Sequence, residues 1–245
     1  MSDGNAFPAL MLEENDGAVT AAMTELHDSD LPEGDVLVRT EYSTLNYKDG
    51  MVLKGQGRLV RNYPHVPGVD LAGVVEASDS PDYVPGDRVV LNGWRVGEAH
   101  WGGYAGKARV KSDWLVPLPD AISTRQAMAI GTAGYTAMLS VLALEDHGLS
   151  PDSDGEVLIT GAAGGVGSVA VAILAKLGYQ VAASTGREEA HEYLKSLGAA
   201  SIVPRAELEE GQKGPLGSER WSGAIDAVGG VILANLLASL KSHAS

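Results

Sequence analysis

With 245 residues the chain is long enough for one large or two ordinary domains, and 44% hydrophobic against 20% charged residues is the balance of a soluble globular protein. The absence of cysteine excludes disulfides and thiolate–zinc sites. A net charge of −14 argues against a nucleic-acid surface, which needs clustered Lys and Arg, yet leaves room for a local basic pocket that takes a phosphorylated small ligand.

The opening residues, Met1-Ser2-Asp3-Gly4-Asn5, lack a basic segment followed by an apolar one, and no uninterrupted apolar run approaches membrane-spanning length. The expected location is the cytoplasm, with neither membrane nor nucleic acid as a partner. Residues 1–122 read as an irregular β half. Candidate strands at Ala9–Leu12 and Val19–Met23 flank Asp16-Gly17, a hairpin turn dipeptide. Val36, Val38 and Thr40 alternate with Leu37 and Arg39 as in a half-buried strand, and further strands are expected at Leu71–Glu76, Arg88–Leu91 and Tyr104–Val110. Six prolines between Pro64 and Pro119 keep the strands short, and a small barrel or folded sheet is the expected shape.

Ser123 caps a helix that runs from Thr124 to Ile130; Gly131-Thr132-Ala133-Gly134 interrupts it, and the pattern resumes from Tyr135 to Leu144. From Glu156 strands and helices alternate. A strand at Val157–Ile159 leads to a helix ending at Leu177, then come a strand at Gln180–Thr185, a helix at Glu188–Leu197 and a short strand at Ser201–Val203. A poorly ordered loop is expected over Glu207–Arg220, then a fourth strand within Gly223–Gly230 and a helix at Val231–Leu240. Such alternation predicts a doubly wound parallel α/β sheet over residues 123–245. The usual dinucleotide-binding sheet has strand order 3-2-1-4-5-6. Here the sheet is expected to be truncated after its fourth strand, with 241–245 leading into a fifth.

The chemistry concentrates on Thr160-Gly161-Ala162-Ala163-Gly164-Gly165-Val166-Gly167, between a buried strand and a helix whose apolar residues recur at Val166, Val169, Ala170, Ile173, Leu174 and Leu177. A strand that runs through glycines into a helix sets free N–H groups and the positive helix end beside an anion, which is how a dinucleotide pyrophosphate is held. The spacing is the looser form of G-x-G-x-x-G, with Ala162 at the first glycine, and a turn that only packs helix on sheet would look alike. The next strand weighs against that bland reading. It ends in Thr185-Gly186-Arg187, where an NAD site needs a carboxylate for the ribose 2′-OH, and none comes before Glu188. A hydroxyl, a flexible glycine and a guanidinium suit a 2′-phosphate, so the expected cofactor is NADPH.

Several motifs together carry a family likeness: Asn46-Tyr47-Lys48-Asp49, Pro67-Gly68-Val69-Asp70-Leu71-Ala72-Gly73, Pro85-Gly86-Asp87-Arg88-Val89, Trp101-Gly102-Gly103 and the Gly161 loop. In this order they resemble the medium-chain dehydrogenase/reductase superfamily. Gly93-Trp94, Glu98, His100–Gly103, Gly131–Gly134 and His191–Ala199 resemble, more narrowly, the NADPH-dependent acryloyl-CoA reductases, a branch also labelled quinone oxidoreductase. The likeness runs from about Pro8 to Leu240. It implies a GroES-like β-rich domain followed by a Rossmann domain, an active site in the cleft, and full-length relatives that are homodimers. Zinc-dependent relatives carry Gly-His-Glu where this chain has Gly68-Val69-Asp70, so the likeness implies a metal-free reductase. His65 nearby reads as a surface or packing residue.

The implied reaction is hydride addition to the β-carbon of acryloyl-CoA, giving propanoyl-CoA. Asn46 and Tyr47 are the expected catalytic residues, with Tyr47 also beside the cofactor; packing at a strand end is the alternative for Tyr47. Lys48 and Asp49 are expected to pair as a brace. Ala163, Gly164, Gly165 and Val166 should face the phosphates, and Thr185, Gly186 and Arg187 the 2′-phosphate. Arg205 either reaches the adenine end or is a solvated charge. Lys54, Arg58 and Arg61 form a basic patch in a glycine-rich loop, for which a solvated loop is preferred over contact with CoA phosphates. Two other readings stay open: a quinone or enone oxidoreductase on the same scaffold, and a non-catalytic NADP-binding truncated product.

Overall fold

Asp16 and Gly17 both adopt positive φ, 52° and 81°, and the tight turn they make folds β1 (Phe7–Asn15) onto β2 (Ala18–Leu26) as an antiparallel hairpin. A computed structural model describes residues 6–210 and 219–244, in which the chain forms two compact units, Met1–Thr132 and Ala133–Ser245.

In the first unit, β3 (Val36–Tyr42), β4 (Asp70–Ser78), β5 (Arg88–Asn92), β6 (Lys107–Val110) and β7 (Val116–Pro117) form one antiparallel sheet in the order β6-β3-β4-β5-β7. The alternation read from the sequence sends Val36, Val38, Leu71, Val89, Leu91 and Val110 into one core, each no more than 1% exposed. Pro117 is tolerated because β7 is a two-residue edge strand. One element went unforeseen. Residues 47–53 form a helix, α1 (Tyr47–Leu53), because Asn46 and Asp49 supply cap chemistry too short to leave a periodic signal.

The longest helix, α2 (Thr124–Asp146), contains the expected break: Gly131 has φ 52° and ψ −164°. Before the break Ala127 and Met128 pack with Ala72; beyond it Ala137, Val141 and Leu144 join the core of the second unit. By length and composition α2 could cross a membrane, contrary to the expectation that no run approaches that size. The positive-φ residue divides it, and Ala127, Met128, Ala137, Val141 and Leu144 on either side of the break lie in protein cores, while Ile130, Leu139 and Leu142 are exposed.

The second unit holds β8 (Glu156–Ile159), β9 (Val181–Thr185), β10 (Ser201–Pro204) and β11 (Trp221–Ile225), all parallel, in the order β10-β9-β8-β11. In order of appearance this is 3-2-1-4, the first part of the doubly wound pattern. Successive residues of β8 point to opposite faces: Val157 and Ile159 pack with α3 (Gly165–Lys176) and α4 (His191–Ser196), and Leu158 packs with α5 (Arg205–Glu210) and α6 (Gly230–Leu237). Burial on both faces explains why these strands read as continuous apolar runs. The loop expected from Glu207 begins as helix α5, and its residues 211–218 lie outside the described residues. After α6, Leu240 meets the start of β11 in a single parallel bridge with Trp221.

Candidate active site

The glycine loop lies where β8 ends and α3 begins. Gly161 adopts φ 59°, and the Gly164 N–H donates to its carbonyl at 2.9 Å, closing the turn. The Ala162 N–H donates to the Ser184 carbonyl at 3.0 Å, which fastens the loop to β9. Gly167 lets the helix approach: a Cβ there would lie 2.5 Å from the Gly161 oxygen. No side chain caps the start of α3, so its leading N–H groups are left for an anion.

Beside this loop is a cavity of about 390 Å³ at the carboxyl ends of the strands, where doubly wound sheets take their ligands. Ala163, Gly164, Thr185, Gly186, Arg187 and Arg205 line it, six of the residues singled out from the sequence. Gly165 and Val166 begin α3 without lining it, and Tyr47 belongs to the other unit. The Thr185 hydroxyl accepts from the Arg187 N–H at 3.1 Å, which shapes the turn after β9. The Arg187 side chain makes no ion pair among the described residues. Arg205 follows β10, whose Pro204 is level with Thr185, and its guanidinium is held by Glu209 at 2.7 Å. A Cβ at Gly186 would come within 3.4 Å of the Arg205 Cδ, so this glycine makes room for that side chain.

Sequence reasoning missed the floor of the cavity. Thr160, almost fully buried, donates to Asp226 Oδ1 at 2.5 Å and accepts from the Ala227 N–H at 3.1 Å, and Asp226 Oδ2 accepts from the Gly229 N–H at 2.8 Å. This latch joins the ends of β8 and β11. The only sequence signal for it is a carboxylate that terminates a buried strand. A free guanidinium, a hydroxyl, a carboxylate-free end to β9 and an uncapped helix fit a dinucleotide with a phosphorylated ribose.

In the first unit the candidate residues gather around a buried carboxylate. Asp70 is fully buried at the start of β4, and no cation faces it in the described contacts. It accepts instead from Thr44 Oγ1, Asn46 Nδ2 at 3.1 Å, Asn92 Nδ2 at 2.7 Å, and both the N–H (3.0 Å) and hydroxyl of Thr132. Five donors on two oxygens replace water and a counterion. Asn46 also donates to Thr44 Oγ1 at 2.6 Å, so both hydrogens of its amide are engaged. The expected brace between Lys48 and Asp49 does not form. Asp49 is buried and accepts from the Asn46 N–H at 2.8 Å and the Val69 N–H at 3.0 Å, whereas Lys48 reaches Glu98 at 2.9 Å. Neighbouring helix positions point in different directions, which sends the two partners apart.

Tyr47, the first residue of α1, is 87% exposed, so packing at a strand end is not its role. With Leu45, Asn46, Gly50, Met51, Lys54 and Gln56 it lines an open depression of about 520 Å³. The Tyr104 hydroxyl donates to the Thr44 carbonyl at 2.8 Å, and burial, reinforced by the charge of Asp49, pushes this phenol far above the usual range. His65 is buried and exchanges backbone hydrogen bonds with Leu12 at 2.8 and 2.9 Å, so it packs inside the unit. Among the described residues no group of three His, Asp or Glu is placed to hold a metal ion.

Comparison with known proteins agrees with this geometry. Residues 32–120 match the alcohol dehydrogenase GroES-like domain. Over 241 residues the chain is 61% identical to the acrylyl-CoA reductase AcuI of Ruegeria pomeroyi, covering 98% of this chain and 73% of that protein. The yhdH oxidoreductase of Salmonella enterica, solved in complex with NADP, is 54% identical with a TM-score of 0.93 over 97% of this chain and 72% of that one. The Bacillus subtilis protein yhfP, solved with NAD bound, is 44% identical with a TM-score of 0.94 over 98% of this chain and 73% of that one. The chain therefore belongs to the medium-chain dehydrogenase/reductase superfamily of oxidoreductases, in the branch that contains AcuI, yhdH and yhfP.

Proposed function

We propose that the chain reduces the carbon–carbon double bond of acryloyl-CoA to give propanoyl-CoA, with NADPH as the reductant. The observation that carries the cofactor assignment is Thr185-Gly186-Arg187 at the end of β9, where a ribose 2′-phosphate finds an unpaired guanidinium and no carboxylate to repel it. The substrate assignment rests on the likeness to AcuI.

The N–H groups of residues 163–166 take the pyrophosphate, Thr185, Gly186 and Arg187 take the 2′-phosphate, and Arg205 attends the adenine end. Bound NADPH supplies a hydride. Hydride arriving at the β-carbon of the thioester moves an electron pair onto the carbonyl oxygen, and the α-carbon then takes a proton. The exposed phenol of Tyr47 is a free donor for that oxygen. Asn46 cannot serve in this way while both its amide hydrogens are held by Thr44 and Asp70. It contributes as the residue that starts α1 and aims Tyr47.

NADPH oxidation followed at 340 nm with acryloyl-CoA, and in parallel with a simple quinone, tests the reading. Turnover of the thioester well above that of the quinone supports it; the reverse order makes the chain a quinone reductase. NADPH binding without turnover of either would leave a cofactor-binding protein.

A further inference from the structure

One surface of the first unit sets cations beside exposed aromatic rings. After β5, the Val96 N–H donates to the Gly93 carbonyl at 3.1 Å, closing a tight turn whose two central residues are Trp94 and Arg95. Both hold positive φ, 53° and 60°. Turns with two left-handed central residues favour Asn-Gly, and a tryptophan followed by an arginine is strained there. Strain of this kind gathers at ligand clamps. Trp94 is also 57% exposed, with its ring stacked on Trp114 at 6.2 Å and 16° between planes. His100 leans on the other ring of the stack, 4.6 Å from Trp114, and Lys111 lies 5.5 Å from it. Arg95 and Lys111 both approach His100 closely enough that, behind partial burial, they hold its imidazole below the ordinary range. Arg95 makes no ion pair among the described residues, Glu98 on its side is taken by Lys48, and the carboxylates beside Lys111 are Asp113, two residues on, and Asp35, which is held by Ser112.

A flat aromatic face flanked by two cations matches a purine with phosphates attached, since every base has a face to stack and each phosphate seeks a guanidinium or ammonium. We propose that Trp94, Arg95 and Lys111 bind the nucleotide end of the acyl-CoA, the adenine on Trp94 and its phosphates on the two cations. This assignment rests on the reading of the substrate as a CoA thioester. The patch adjoins the proposed reaction centre through a short relay: Arg95 accepts at its carbonyl from the Glu98 N–H at 3.2 Å, and Glu98 pairs with Lys48 beside Tyr47. The rival basic patch at Lys54, Arg58 and Arg61 has no stacked indoles.

The double variant Trp94→Asn/Arg95→Gly tests the assignment, because it installs the dipeptide that the turn prefers and so keeps or raises the melting temperature. Arg95→Ser alone is a milder second probe. Adenosine 3′,5′-bisphosphate is titrated calorimetrically into the protein already saturated with NADP+, which fills the other adenosine site. The expected result is binding to the wild type, weakened about tenfold or more in each variant. In steady state the KM for acryloyl-CoA should rise about tenfold with kcat unchanged, and the KM for acryloyl-pantetheine, which lacks the nucleotide, should not move. Equal losses on both thioesters, or no binding of the bisphosphate to the wild type, overturns the proposal. So does altered sedimentation with unaltered binding, which would make the patch a contact between copies. If the wild type reduces neither thioester yet binds the bisphosphate through Trp94, the reaction assignment fails and the nucleotide site stands.

Discussion

Replacing Arg187 by alanine tests the proposed basis of cofactor choice. The guanidinium is exposed at the mouth of the cavity and has no ion-pair partner among the described residues, so its removal orphans no internal carboxylate. A forked, charge-assisted pair with a 2′-phosphate contributes about 1.5–3 kcal/mol. Solvent at the rim favours the lower half of that range, and at 1.4 kcal/mol per decade the Kd for NADPH should weaken about 10- to 50-fold. Arg205 offers limited compensation because Glu209 holds it at 2.7 Å. NADH carries no phosphate at this position, so its Kd should barely change. Titration of both cofactors by nicotinamide fluorescence, in wild type and variant at two salt concentrations, reads the effect directly. The wild-type preference for NADPH should shrink in high salt, whereas the variant should have little preference left to lose. Equal wild-type affinity for the two cofactors, unchanged by the substitution, would refute the reasoning. A uniform loss for both would instead make Arg187 a brace of the turn. The comparison with yhfP, solved with NAD, makes this measurement informative.

Other expectations follow from the same geometry. Gly167→Ala places a Cβ 2.5 Å from the Gly161 oxygen, so thermal unfolding should fall by several degrees, about 1–3 kcal/mol, with weaker NADPH binding; an unchanged Tm would show that the turn yields freely. Asp70→Asn turns an amide NH2 toward groups that already donate, and a loss of about 2–4 kcal/mol is expected by denaturant titration, with an unchanged midpoint as the contrary result. Tyr47→Phe should lower kcat for acryloyl-CoA on the order of 100-fold while the Kd for NADPH holds, and a kcat equal to wild type would remove the phenol from the reaction. Burial holds the His65 imidazole below its ordinary value of 6.5, so the unfolded chain binds a proton that the folded chain refuses. Stability should therefore be complete above pH 6.5 and decline as the pH falls through the lowered folded value. His65→Phe should flatten that decline, and His100, shifted in the same direction, should leave a smaller one.

Local patterns in the chain already contained the hairpin at Asp16-Gly17, the alternating β half, the break at Gly131 and the order of strands and helices after Glu156. Each rests on residues within a few positions of one another, which backbone sterics and burial period translate directly into structure. The glycine loop and the lining of the cavity beside it were legible for the same reason, since glycines, Thr185 and Arg187 sit at fixed offsets from strand ends. Only the tertiary structure decided what surrounds Asp70, whose donors come from Thr44, Asn46, Asn92 and Thr132, and that Lys48 turns to Glu98 fifty residues away. Helix α1 was hidden because its 7 residues, barely two turns, leave no period to read. The Thr160–Asp226 latch and the Trp94–Trp114 stack likewise join distant segments. A buried polar group must find its partners wherever the folded chain brings donors within 3 Å, and that search runs through space and not along the sequence.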